Sequence, residues 1–158
     1  MAPGKPEQVD YEYVRAGTCN IFVAVEPQGG RRITQVTAHR GKVDFVRFVQ
    51  HLINHVYRSA RRIHFVVDNL NIHFRKCFVE TLGAKAAHNL LQRVDFHYTP
   101  KHASWVNQVE LFFSILTRKV IRNGNFASRS DLVTKLMTFI DRYNTTARPF
   151  AWTYTGQP

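Results

Sequence analysis

The sequence is short of cysteine, of acidic residues and of long apolar runs, and each shortage excludes something. Cys19 and Cys77 are the only two cysteines in 158 residues. That is too few for a disulfide scaffold, and neither stands at zinc-ligand spacing from the other. The longest apolar runs are a few residues, as in Ile21–Val25, so no segment reads as a membrane-spanning helix. The opening Met-Ala-Pro-Gly-Lys-Pro-Glu lacks the apolar stretch of a secretory signal. No internal repeat or low-complexity tract breaks the chain. Acidic residues number 11 against 22 lysines and arginines, a formal net charge of +11. With 44% hydrophobic and 13% aromatic residues the chain can bury a core, and its length is that of one domain, residues 1–158. These features read as a reduced, cytoplasmic domain with an anionic partner and no membrane.

The positive charge is spread along the chain. Residues 1–67 carry a net +5, residues 68–100 a net +1 and residues 101–158 a net +5. An excess distributed through the fold suits an extended nucleic-acid-binding surface better than a basic tail does. Charge alone leaves RNA, an anionic membrane surface or plain solubility open.

Hydrophobic periodicity gives the element order. Residues 1–18, with Pro3, Gly4, Pro6 and Gly17, read as loop. Cys19 to Val25 reads as a strand, and Glu26-Pro-Gln-Gly-Gly30 as a turn. Arg32 to Ala38 alternates and pairs with the first strand as a hairpin. Phe45, Phe48, Val49, Leu52, Ile53 and Val56 form a helical stripe running from about Val43 to Arg58. Ile63–Val67 reads as a strand buried on both faces. A helical stretch from Phe74 to Leu91 breaks near Gly83, and Val94–Tyr98 makes a further strand stopped by Pro100. Ser104 offers an N-cap for a helix ending at Gly124, and Ser128-Arg-Ser-Asp131 is a capping-box-like start for the last one. The order β-β-α-β-α-β-α-α predicts an α/β domain with a mixed sheet flanked by helices.

Two carboxylates stand out. Asp68 follows the Ile63 strand at its carboxyl end, where open α/β sheets place ligand sites. Glu110 lies on the predicted Trp105 helix, flanking its apolar stripe. Paired carboxylates of this kind can hold Mg²⁺, and two such ions clamp the oxygens of a phosphodiester during in-line displacement. On spacing alone Asp68 reads equally as a turn or cap residue, and Glu110 as an ordinary helix acid.

The strings Val66-Val-Asp-Asn-Leu-Asn-Ile-His73 and Phe96-His-Tyr-Thr-Pro-Lys-His-Ala-Ser-Trp-Val-Asn-Gln-Val-Glu110 resemble the DDE transposases of the mariner-like group of bacterial insertion sequences. Pro3–Glu7, Asp10–Tyr13, Arg122–Phe126, Tyr143-Asn144 and Pro149–Trp152 extend the resemblance over essentially the whole chain. It implies a ribonuclease-H-like fold that cuts and joins DNA at insertion-sequence ends using Mg²⁺ or Mn²⁺. Asp68 and Glu110 would be the second and third acids of the triad, supported by Asn69, His73, Ser104, Trp105 and Asn107. It further implies double-stranded DNA (transposon ends and target) as partner, a homodimer as an option, and a bacterial, nucleoid-associated location.

The family's first acid lies on a strand preceding the segment that resembles Pro3–Gly17. Glu7, Asp10 and Glu12 fall in loop-like sequence, and Glu26 reads as a solvated turn residue. The expectation is a truncated or split reading frame, inactive alone, without the upstream helix-turn-helix module and with the hairpin and the Ile63 strand left unbridged. His64, His97 and His102 show no zinc-site spacing. Trp105 and Trp152 read as core or lid residues more than as base-stacking ones. The phosphate-contact candidates are Arg31, Arg32, Arg61, Arg62, Lys101, Arg118, Lys119 and Arg122. A non-catalytic DNA-binding remnant and a structure-selective nuclease of the same fold are the alternative functions.

Overall fold

The turn at Pro27–Gly30 closes a hairpin, as its composition predicts. Strand β1 (Asn20–Val25) pairs antiparallel with β2 (Arg32–Thr37) through six residue pairs, from Asn20 with Thr37 to Val25 with Arg32. Gly30 is required twice over. Its φ of +70° is left-handed, and a Cβ there would collide with the backbone of Arg148. The computed structural model describes residues 17–67, 74–99 and 108–149.

Helix α1 (Lys42–His51) starts where the Asp44 carboxylate accepts the Gly41 N–H at 2.8 Å, and it runs on into a π-helical turn, Leu52–Val56. Its apolar positions form two adjacent stripes that serve different neighbours. Phe48 and Leu52 pack with Phe22, Ala24 and Ile33 of the hairpin. Val46, Val49 and Ile53 pack with Ile63, with Cys77 and Phe78 of α2 (Phe74–Leu82), with Ala87 and Leu91 of α3 (Ala84–Leu91), and with Val94. Gly83, at φ +86°, separates α2 from α3.

Strands β3 (Ile63–Val67) and β4 (Val94–Tyr98) are parallel, in register from Ile63 with Val94 to Val67 with Tyr98. Among the described residues the hairpin and this pair are separate two-stranded sheets, not one mixed sheet; the α/β class and the element order stand. The expectation that β3 is buried on both faces is corrected. Ile63 is buried and Phe65 half-buried against α1, but His64 and Val66 point to an uncovered face, with Val66 62% exposed. An apolar run says that a strand is β-prone; only tertiary packing decides whether its second face is covered.

Helix α4 (Gln108–Leu116) continues through a π-helical turn, Thr117–Ile121, and α5 (Arg129–Thr145) follows. Phe112 and Leu116 of α4 and Leu136 and Ile140 of α5 are fully buried together beneath Ile21, Val23 and Val25. The hairpin thus lies between α1 on one face and α4 with α5 on the other. Ser128 caps α5, its Oγ accepting the Asp131 N–H at 3.1 Å, while Asp131 accepts the Ala127 N–H at 3.0 Å instead of closing a full box. At the other end of the fold Arg93 gathers the carbonyls that end the first helix. It donates to Ile53 at 2.6 Å, Tyr57 at 3.1 Å, Arg58 at 3.0 Å and Ala60. No helix among the described residues is long and apolar enough to cross a membrane.

Candidate active site

Parallel pairing sends β3 and β4 out of the sheet at the same end, side by side. Val67 lies opposite Tyr98, and the next residue, buried Thr99, donates its N–H to the Val67 carbonyl at 3.0 Å. That bond fixes the strand end from which the chain passes into Asp68. Asp68, Asn69 and His73, and Lys101, Ser104, Trp105 and Asn107, lie outside the described residues. Glu110 is described. It stands in the first turn of α4, exposed, and its carboxylate makes no ion pair among the described residues. Negative charge there is favoured by the helix dipole.

Below Glu110 the exposed side of the helix turns basic. Ser114 donates to the Glu110 carbonyl at 3.1 Å, Arg118 donates to the Ser114 carbonyl at 3.4 Å, and Arg122 follows at the same spacing. The i, i+4 rule puts these four residues in one row. On the uncovered face of β3–β4, His64 Nδ1 and His97 Nε2 lie 3.0 Å apart. Beside them Arg62 grips Asp95 with two bonds of 2.6 and 2.8 Å, which hold the Asp95 carboxyl below the usual carboxylate range. Among the described residues no set of three or more His, Cys, Asp and Glu side chains is placed to share a metal ion.

The seven described cations expected to meet phosphate divide into three groups. Arg31, Arg61, Arg118, Lys119 and Arg122 are exposed. Arg62 is already paired with Asp95. Arg32 is a correction: it is 1% exposed, with its guanidinium carbon 4.9 Å from the Tyr143 ring centre and 5.6 Å from that of Phe112, and it donates to the Gly30 and Arg148 carbonyls. Burial lowers its pKa from the usual guanidinium value. Asn144 fixes its backbone, accepting the Arg32 N–H at 2.9 Å and donating to the Arg32 carbonyl at 2.7 Å. Arg32 is a structural cation that joins the hairpin to α5. Glu26 is likewise not a solvated turn residue: its Oε2 accepts the Tyr57 hydroxyl at 2.9 Å, and burial together with that bond pushes the Tyr57 phenol well above its usual range. Sequence reasoning passed over Lys135 and Arg142 on α5, which face Lys119 across a cleft. The Gly124-Asn-Phe126 turn is the local signal that could have pointed there.

Comparison with known proteins bears on this geometry. The family profile described as DDE superfamily endonuclease matches residues 1–133, a span holding Asp68, Glu110 and both strand ends. No curated protein and no solved structure matches the chain.

Proposed function

Because the chain belongs to the DDE superfamily endonucleases, we propose that it provides the catalytic carboxylates of a transposase acting at insertion-sequence ends, with Asp68 and Glu110 as metal-holding acids. The observation that carries this reading is the parallel β3–β4 pair. Its two strands end side by side at the Thr99–Val67 bond, and in sequence one continues into Asp68 and the other toward Glu110.

The donor chemistry fits a hard divalent cation. Glu110 offers carboxylate oxygens to solvent with no lysine or arginine paired to it among the described residues, and Asp68 adds a second carboxylate. Mg²⁺ or Mn²⁺ bound there would neutralise the phosphodiester and lower the pKa of the attacking water or hydroxyl. The residues of this chain supply the rest. Arg118 and Arg122, in the row behind Glu110, hold backbone phosphates, and Arg31 and Arg61 with Lys101 extend the cationic surface for duplex DNA. Asn69, His73, Ser104, Trp105 and Asn107 orient the two acids.

Mn²⁺ binding followed by electron paramagnetic resonance tests the site without requiring turnover. Asp68→Asn and Glu110→Gln should each weaken Mn²⁺ binding by about tenfold or more, while Asp68→Asn tightens binding to DNA by removing a negative charge from its path. Tighter DNA binding with unchanged Mn²⁺ affinity in both variants would instead identify a DNA-binding remnant.

A further inference from the structure

An open cleft of about 400 Å³ lies between the π-helical turn Thr117–Ile121 and α5. Its lining combines apolar Val120, Phe126 and Phe139 with cationic Lys119, Lys135 and Arg142. The cleft is built, not incidental. A Cβ at Gly124 would strike the Phe126 ring and crowd the Val120 carbonyl, so glycine is what lets Phe126 fold down against the helix end. Lys135 then ties that turn to α5. Its ammonium donates to the Asn125 carbonyl at 2.9 Å and to Asp131 at 3.0 Å, and it stands 5.5 Å from the centre of the Phe126 ring. Asp131 is thereby engaged with Lys135, and Lys119 and Arg142 have no ion pair among the described residues.

Two uncompensated cations beside an apolar lining suit a ligand that is anionic at one end and flat and apolar at the other. An acidic peptide would satisfy the cations and leave the apolar lining unused. A nucleotide uses both, and the volume lies within the range of small-ligand sites. Lys119 is nine residues beyond Glu110 on the same continuous helix, about 13 Å along its axis and roughly four nucleotides of strand.

We propose that this cleft seats one unstacked nucleotide of a DNA single strand, its base against the apolar lining and its phosphates on Lys119 and Arg142. The proposal rests on the DNA reading above and adds to it a preference for strand ends or opened duplex.

The test uses the full chain in EDTA, with a fluorescein-labelled oligothymidylate of about a dozen nucleotides and a duplex of equal length. The double variant Lys119→Ala/Arg142→Ala should lose about thirtyfold in single-strand affinity at low salt and flatten its salt dependence by about 1.4 log units per log unit, with a smaller loss on duplex. Thr138→Trp, which fills the cleft without changing charge, should cost about tenfold on the single strand and nothing on the duplex. Lys85→Ala, on the exposed side of α3, should change neither. Wild-type single-strand binding by Thr138→Trp, or equal losses on both DNAs in the double variant, would overturn the proposal and leave the metal site untouched. Failure of the wild-type chain to bind either DNA would overturn the DNA reading together with it.

Discussion

The hairpin β1–β2 and the parallel pair β3–β4 each have two strands and each rest on α1, yet they are finished differently. The hairpin is closed on its second face by Phe112, Leu116, Leu136 and Ile140, and is pinned further by the Arg32–Asn144 exchange. The parallel pair shows solvent a face of His64, Val66 and His97. A two-stranded sheet has little stability of its own, so the packing on each face decides what it can do. The covered sheet is scaffold. The open one precedes Asp68 directly in sequence and leaves one of its faces to solvent.

Removing the cover should reveal the difference most strongly. Phe112→Ala is expected to destabilise the chain by about 3–5 kcal/mol, because a fully buried ring leaves a cavity between α4, α5 and β1. On the uncovered sheet, Val66→Thr should stay within about 0.5 kcal/mol. Urea unfolding of the two variants reads both, and a cost above about 2 kcal/mol for Val66→Thr would mean that the open face is packed in solution.

A smaller effect separates two arginines that look alike in sequence. Arg32→Met should cost about 1–3 kcal/mol of stability, since it leaves the Gly30 and Arg148 carbonyls without a donor, and should leave the salt dependence of DNA binding unchanged. Arg118→Ala should behave oppositely, with stability within about 0.5 kcal/mol and a salt slope flatter by about 0.9. DNA-binding isotherms at several salt concentrations beside thermal melts would show the split, and identical behaviour of the two would erase the distinction.

The smallest effect is acid sensitivity at the start of α5. The Ala127 N–H first, and then Lys135, hold the Asp131 carboxyl below its usual value of 3.8. A depressed folded value means that this contribution is full above that pH and disappears as pH falls through the lower folded value. Asp131→Asn should therefore lower stability at neutral pH and narrow its gap to wild type below about pH 4. Melts from pH 7 to 2.5 check this, and a constant gap over the range would contradict it.

The alternation of Arg32–Thr37, the Pro27–Gly30 turn, the apolar stripe of α1 and the Ser128 cap are local signals, and they located the elements. What sequence could not supply was coverage and partnership. Val66 and Val67 look alike in a β-prone run, yet Val66 is exposed, while α4 and α5 pack over the other sheet. Arg32 opens an alternating strand as any surface arginine would; its burial depends on Asn144, which is 112 residues away in sequence. Of the candidate site, the exposure of Glu110 and of Arg118 and Arg122 follows from their side of the α4 stripe. The cleft beside Lys119 needed the fold, because Phe126 and Arg142 meet there only through a turn shaped by Gly124.

Arg93 has a consequence for how the chain opens. The Tyr57 carbonyl already accepts the Ala60 N–H, and Arg93, just before β4 and roughly 35 positions later in sequence, brings a side-chain donor to it and to the Ile53, Arg58 and Ala60 carbonyls. Once docked, β4 cannot leave without removing the Arg93 donor from these carbonyls. Helix α1 and strands β3 and β4 should therefore open and close as a single cooperative unit, and amide exchange in α1 should keep pace with that in β4 despite their distance along the chain.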